Sequence, residues 1–101
     1  MDKYGSGTAT SGTTATTGNM IPDSTDGIVI AFSSGNPGAG ADVSFSDGVS
    51  YTAGPMHETY STAQGTGYRI FTSSVGTIAV TATWNSNITK GIVVAVVIKA
   101  A

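Results

Sequence analysis

Cysteine and leucine are both absent from this 101-residue sequence. The missing cysteine excludes a disulfide framework and any thiolate-based metal site. The missing leucine, with few other straight-chain helix formers, argues against a helical bundle. Charge is scarce as well. Four basic residues face six acidic ones, for a formal net charge of -2. That balance is poor for an electrostatic nucleic-acid binder, so no nucleic-acid partner is expected. Long apolar runs are missing too. The longest, Ile92 to Ile98, has seven residues, and a membrane-spanning helix needs about 20. No membrane partner is expected. The opening Met1-Asp2-Lys3-Tyr4-Gly5-Ser6 is not followed by the apolar stretch of an export signal.

What is present is threonine, glycine, serine and alanine, at 16, 14, 12 and 12 residues. Eight isoleucines and nine valines are enough for one thin core. These residues favour strands over helices. One domain is the ceiling at this length.

The chain divides by composition. From Gly5 to Gly18 there is only Gly, Ser, Thr and Ala, and such a stretch cannot bury a core of its own. Residues 1–26 are therefore read as an extended low-complexity arm that is ordered by a partner. Tyr4, Met20 and Ile21 are its candidate partner-binding residues, with Met20-Ile21-Pro22 as the place where the arm meets the body. Residues 27–101 are read as the folded domain.

Ile28 to Phe32 is a short apolar run bounded by Gly27 and Ser33, as a buried strand is. Residues 33–41 are rich in glycine and read as a loop. Asp47-Gly48 lies between two alternating runs, Val43 to Ser46 and Val49 to Thr52, which predicts a hairpin. Residues 54–67 read as irregular, with one short strand over 58–61. Tyr68 to Phe71 is a strand. Ile78, Val80, Ala82 and Trp84 then alternate with small or hydroxyl residues, the clearest period of two in the chain. Ile92 to Ile98 is mostly β-branched and predicts a central strand buried on both sides. Short strands at this spacing predict an all-β fold: a small antiparallel β-sandwich or jelly-roll-like barrel with an extended N-terminal arm.

Chemistry-bearing constellations are few. His57 is the only histidine and lies beside Glu58. Such a dyad can exchange protons, but no nucleophile accompanies it, and a solvated loop histidine is the plainer reading. One histidine cannot seed a zinc site. Asp23, Asp26, Asp42 and Asp47 lack the spacing of a calcium loop and read as turn formers. Gly35-Asn36-Pro37-Gly38-Ala39-Gly40 has no lysine or helix behind it, unlike a phosphate loop. No enzyme, catalytic residue, cofactor or metal is therefore expected. Tyr51, Tyr60 and Trp84 are candidate ligand-facing aromatics, because sugar rings stack on exposed aromatic faces. Trp84, in phase with Ile78 and Val80, also reads as core.

Residues 27–98 resemble a β-sandwich domain, jelly-roll or Ig-like, that recurs in phage virion and tail proteins and in bacterial surface proteins. The resemblance rests on the apolar opening strand, Ser46-Asp47-Gly48-Val49-Ser50-Tyr51, the aromatic strand from Tyr68, the run Gly76 to Trp84, and the apolar closing strand. It implies a structural or adhesive role without catalysis. The expected function is a phage virion structural protein: a capsid decoration or cement subunit, or a tail component, whose arm contacts other subunits. Its expected partners are other virion subunits in a symmetric homo-oligomer or lattice, and its expected location is the virion. The alternative is a carbohydrate- or host-surface-binding module, possible also as a piece of a longer exported protein.

Overall fold

A computed structural model describes residues 2–36, 42–58 and 63–100. The described residues contain no helix. They form β1 (Lys3–Ala9), β2 (Thr14–Thr16), β3 (Gly27–Asn36), β4 (Val43–Ser46), β5 (Thr52–Glu58), β6 (Ala63–Phe71), β7 (Thr81–Trp84) and β8 (Lys90–Lys99). A five-stranded sheet has the order β1-β8-β3-β6-β5, and a three-stranded sheet the order β2-β7-β4. Every pairing is antiparallel. The two sheets pack as the expected sandwich.

The core lies between them. Val29 and Ala31 from β3, and Val93, Ala95 and Val97 from β8, point inward and are fully buried. They meet Phe45, Val80, Ala82 and Trp84. The period of two from Ile78 to Trp84 is real, and all four of its apolar residues are buried. The regular ladder, however, covers only Thr81–Trp84. Before it, Ile78 exchanges two backbone hydrogen bonds of 2.8 Å with Met20.

Residues 1–26 are not a detached arm awaiting a partner. They supply one strand to each sheet. β1 pairs with β8 from Lys3↔Val97 to Ala9↔Gly91, and β2 pairs with β7. Small size is what makes this work. Gly5 and Gly7 occupy inward-facing positions of β1, and a Cβ on Gly7 would run into the Thr16 carbonyl. The backbones of β1 and of the segment after β2 therefore close over each other at this corner. Past β2, the Thr17 backbone donates to the Val80 carbonyl at 2.9 Å, and the Thr17 hydroxyl accepts from the Val80 N–H at 3.0 Å. A threonine oxygen here does the work of a strand carbonyl. The apolar residues that this segment lacks come from the body, against which it packs.

Two further expectations change. The Asp47-Gly48 turn forms, with Gly48 at φ 96° and the Tyr51 N–H bonded to the Phe45 carbonyl at 3.0 Å. Yet β4 and β5 do not make a hairpin ladder. After the Ser46↔Ser50 bridge the chain crosses to the other sheet, where β5 pairs with β6. The stretches read as loop over 33–41 and irregular over 54–67 are strand as far as Asn36, over β5, and again from Ala63. Their glycines mark close packing. A Cβ at Gly67 would lie 2.7 Å from the Phe45 ring, and one at Gly35 2.6 Å from the Trp84 indole. The short strand expected over 58–61 falls mainly on residues outside the described ones.

Candidate functional site

Of the aromatics proposed as ligand-facing, Trp84 is the clearest correction. It is 1% exposed. Its indole lies over Gly35 and Gly91, which are paired across β3 and β8. Two missing side chains make the space that one large ring fills, so Trp84 has no face for a sugar. Tyr51 is half-buried and already engaged. Its hydroxyl donates to Asp47 Oδ2 at 2.8 Å. Burial first, and the Asp47 carboxylate second, push the Tyr51 phenol well above its usual pKa. Tyr60 lies outside the described residues.

The Asp47 carboxylate is the centre of a small polar cluster between the sheets. Its side chain is 1% exposed, and Arg69 Nη1 reaches it at 2.7 Å. Arg69 comes from an inward position of β6 and Asp47 from the turn after β4. The cluster therefore ties one sheet to the other. It is internally satisfied and offers no free acid or base.

His57 is exposed on β5 and sits opposite Gln64. The Glu58 side chain lies outside the described residues. Among those residues, no three His, Cys, Asp or Glu side chains come together to hold a metal ion. Asp23 pairs with Lys3 at 3.3 Å, and the Asp42 N–H donates to Asn85 Oδ1 at 2.8 Å. The acidic residues act locally in turns and pairs. No helix among the described residues is long and apolar enough to cross a membrane.

The arm candidates separate. Met20 is 2% exposed and is part of this chain's own core, which corrects its reading as a partner contact. It is the anchor of the segment through its pairing with Ile78. Tyr4 and Ile21 are 70% and 60% exposed.

Tyr4 belongs to the most unusual surface of the molecule. On β3 and at the two ends of the apolar run of β8 the larger apolar side chains point outward, while the glycines and alanines point inward; Phe71 of β6 is a large apolar residue on the inner face. On β3, Ile28, Ile30 and Phe32 point outward, and Val29, Ala31 and Ser33 inward. On β8, Ile92, Val94, Val96 and Ile98 point outward, and Val93, Ala95 and Val97 inward. The register aligns them in rows. Tyr4, Val96, Ile30 and Tyr68 lie side by side across four strands. Ile98, Ile28 and Ile70 form the next row. A groove of about 420 Å³ crosses the face between Phe32, Val94, Ile92 and the Met56-His57 edge.

This face was legible in part. The run Ile92 to Ile98 predicts burial on both sides, yet within this chain only one side is covered. The size alternation along residues 27–35 and 91–98 is the signal that would have found it. The isoleucines and Phe32 fall on the even positions and the glycines and alanines on the odd ones, with valine on both. The small set faces the other sheet, where Trp84 and Phe45 already fill the space.

No protein-family model matches this sequence, and no curated protein matches it.

Proposed function

We propose that this protein is a non-enzymatic structural subunit of a virion, a capsid decoration or cement protein or a tail component of a phage. The observation that carries the reading is the apolar outer face of the five-stranded sheet. Contiguous apolar patches larger than a few hundred Å² mark interaction sites. A sheet whose bulky residues face outward is built to be covered. The resemblance of residues 27–98 to virion and tail β-sandwiches supplies the kind of assembly. The contact role expected of the arm passes to this face, to which the arm contributes Tyr4.

The test is direct. Virions are purified on a density gradient, and their proteins are identified and counted by mass spectrometry. The chain is expected at a fixed copy number per particle. Its absence from purified particles overturns the reading.

One observation favours the carbohydrate-binding alternative. Tyr4, Phe32 and Tyr68 are exposed together on one face, where sugar rings can stack. Glycan-array binding that disappears in Tyr68→Ala supports that alternative, and an array without signal removes it.

A further inference from the structure

We infer that the outer face of the five-stranded sheet packs against the same face of a second copy of this chain, forming a closed two-fold dimer. The inference rests on the assembly reading above, and it names the partner and the surface.

The size of the face comes first. Five strands about 4.8 Å apart and seven to ten residues long span a footprint of roughly 600–700 Å². Stable specific interfaces bury about 800 Å² per partner, and a corrugated apolar surface exceeds its flat footprint. The face is therefore large enough for a pair.

Charge points the same way. Among the described outward-facing positions of the sheet, Lys90 lies at one end of β8 as the charged residue, and His57 on β5 is the titratable one. A face with its one charge at the end offers little handle for an oppositely charged partner and little repulsion to its own copy. Such a self-complementary patch suits the isologous contact of a two-fold dimer.

Each edge of the same sheet is interrupted. At β1, the Ser6 carbonyl accepts the Gly18 N–H at 3.1 Å. At β5, Pro55 lacks a donor, and the register slips between Ala53 and Met56. These features oppose strand addition at this sheet and favour association through its face. Two copies of one sheet share the same twist and can pack aligned, about 10 Å apart. The pairing would cover the second side of β8, as its unbroken apolar run demands.

Analytical ultracentrifugation of the full chain over a dilution series tests this. The expected result is a species of twice the monomer mass. Phe32→Lys and Ile70→Lys each place a charge in the interface and are expected to weaken association on the order of a hundredfold. Val49→Lys, at an exposed site on the turn after β4, is expected to leave it unchanged. Circular dichroism confirms that the variants stay folded, as both target side chains already meet solvent in the single chain. A wild type that is monomeric at every concentration overturns the pairing, and so does growth into open-ended oligomers or a dimer indifferent to both lysines. A monomer that still co-purifies with virions overturns the pairing alone. A dimer absent from virions overturns the virion reading alone.

Discussion

A single guanidinium nitrogen of Arg69 sits between both carboxylate oxygens of Asp47, 2.8 Å from Oδ1 and 2.7 Å from Oδ2. Arg69 lies on β6 of one sheet and Asp47 in the turn that follows β4 of the other, and the carboxylate is buried. Breaking such a pair from one side leaves a charge without its partner. Asp47→Ala is expected to cost about 3 kcal/mol in urea unfolding, near the lower end for buried pairs because Arg69 keeps some contact with water. A loss below about 0.5 kcal/mol, the scale of ordinary surface changes, would show that the pair does not join the sheets.

Tyr51 adds a pH dependence to the same cluster. Its phenol is held neutral in the folded chain by burial and by the carboxylate it donates to. Its folded pKa is therefore raised above the unfolded value near 10. Below pH 10 both states keep the proton, and stability does not change on this account. Above it, the unfolded chain loses the proton and the folded chain does not. Stability then falls by up to about 1.4 kcal/mol per pH unit. Urea midpoints measured from pH 9 to 12 should decline in the wild type and decline less steeply in Tyr51→Phe. Equal slopes in the two proteins would remove Tyr51 as the cause.

Trp84 and Gly35 make a steric prediction. A Cβ at Gly35 would lie 2.6 Å from the indole, and neither a central strand nor a fully buried ring can move aside. Gly35→Ala is expected to cost about 1–3 kcal/mol, the usual cost of overpacking. It should also shift Trp84 fluorescence to longer wavelength as the ring is displaced toward water. An unchanged spectrum and melting temperature would mean that the sheets yield at this point.

The amino-terminal segment predicts a loss of folding when it is removed. Without residues 2–19 the chain loses β1 and β2, and β8 and β7 each lose a paired neighbour strand. The truncated protein should give a far-UV spectrum without strand signal, or aggregate. Gly7→Ala, whose Cβ meets the Thr16 carbonyl, should destabilise in the same direction. Ser6→Ala, whose side chain points away from the core, should stay within about 0.5 kcal/mol of wild type. A truncated chain that folds normally would return the segment to the status of a free arm.

Residues taken in chain order reveal what is local. Alternation from Ile78 to Trp84 assigns those side chains to the core because strand geometry sends every second residue to one face. Asp47-Gly48 locates a turn because glycine tolerates its positive φ. The path of the chain beyond that turn is not local. β5 joins a different sheet from β4, pairing with β6, whose Gly67 packs against Phe45 across the sandwich. Nothing near Asp47 in the chain encodes that choice. Tyr51 and Trp84 look alike as candidate sugar platforms, yet one is bonded to a buried carboxylate and the other fills the space above two glycines. Only the partners decide.

Composition and periodicity by themselves determined an all-β chain with short strands and a thin core of β-branched residues, since these follow from local backbone preference and side-chain alternation. Tertiary structure decided the rest. It turned the Gly/Thr segment into two integral strands, because glycine lets backbones approach at Gly5 and Gly7 and threonine can bond like a carbonyl at Thr17. It also decided which side of β3 and β8 is the core. Both sides are apolar in sequence, and the facing sheet, already filled by Trp84 and Phe45, takes the side that carries the glycines and alanines and leaves the isoleucines and Phe32 facing out.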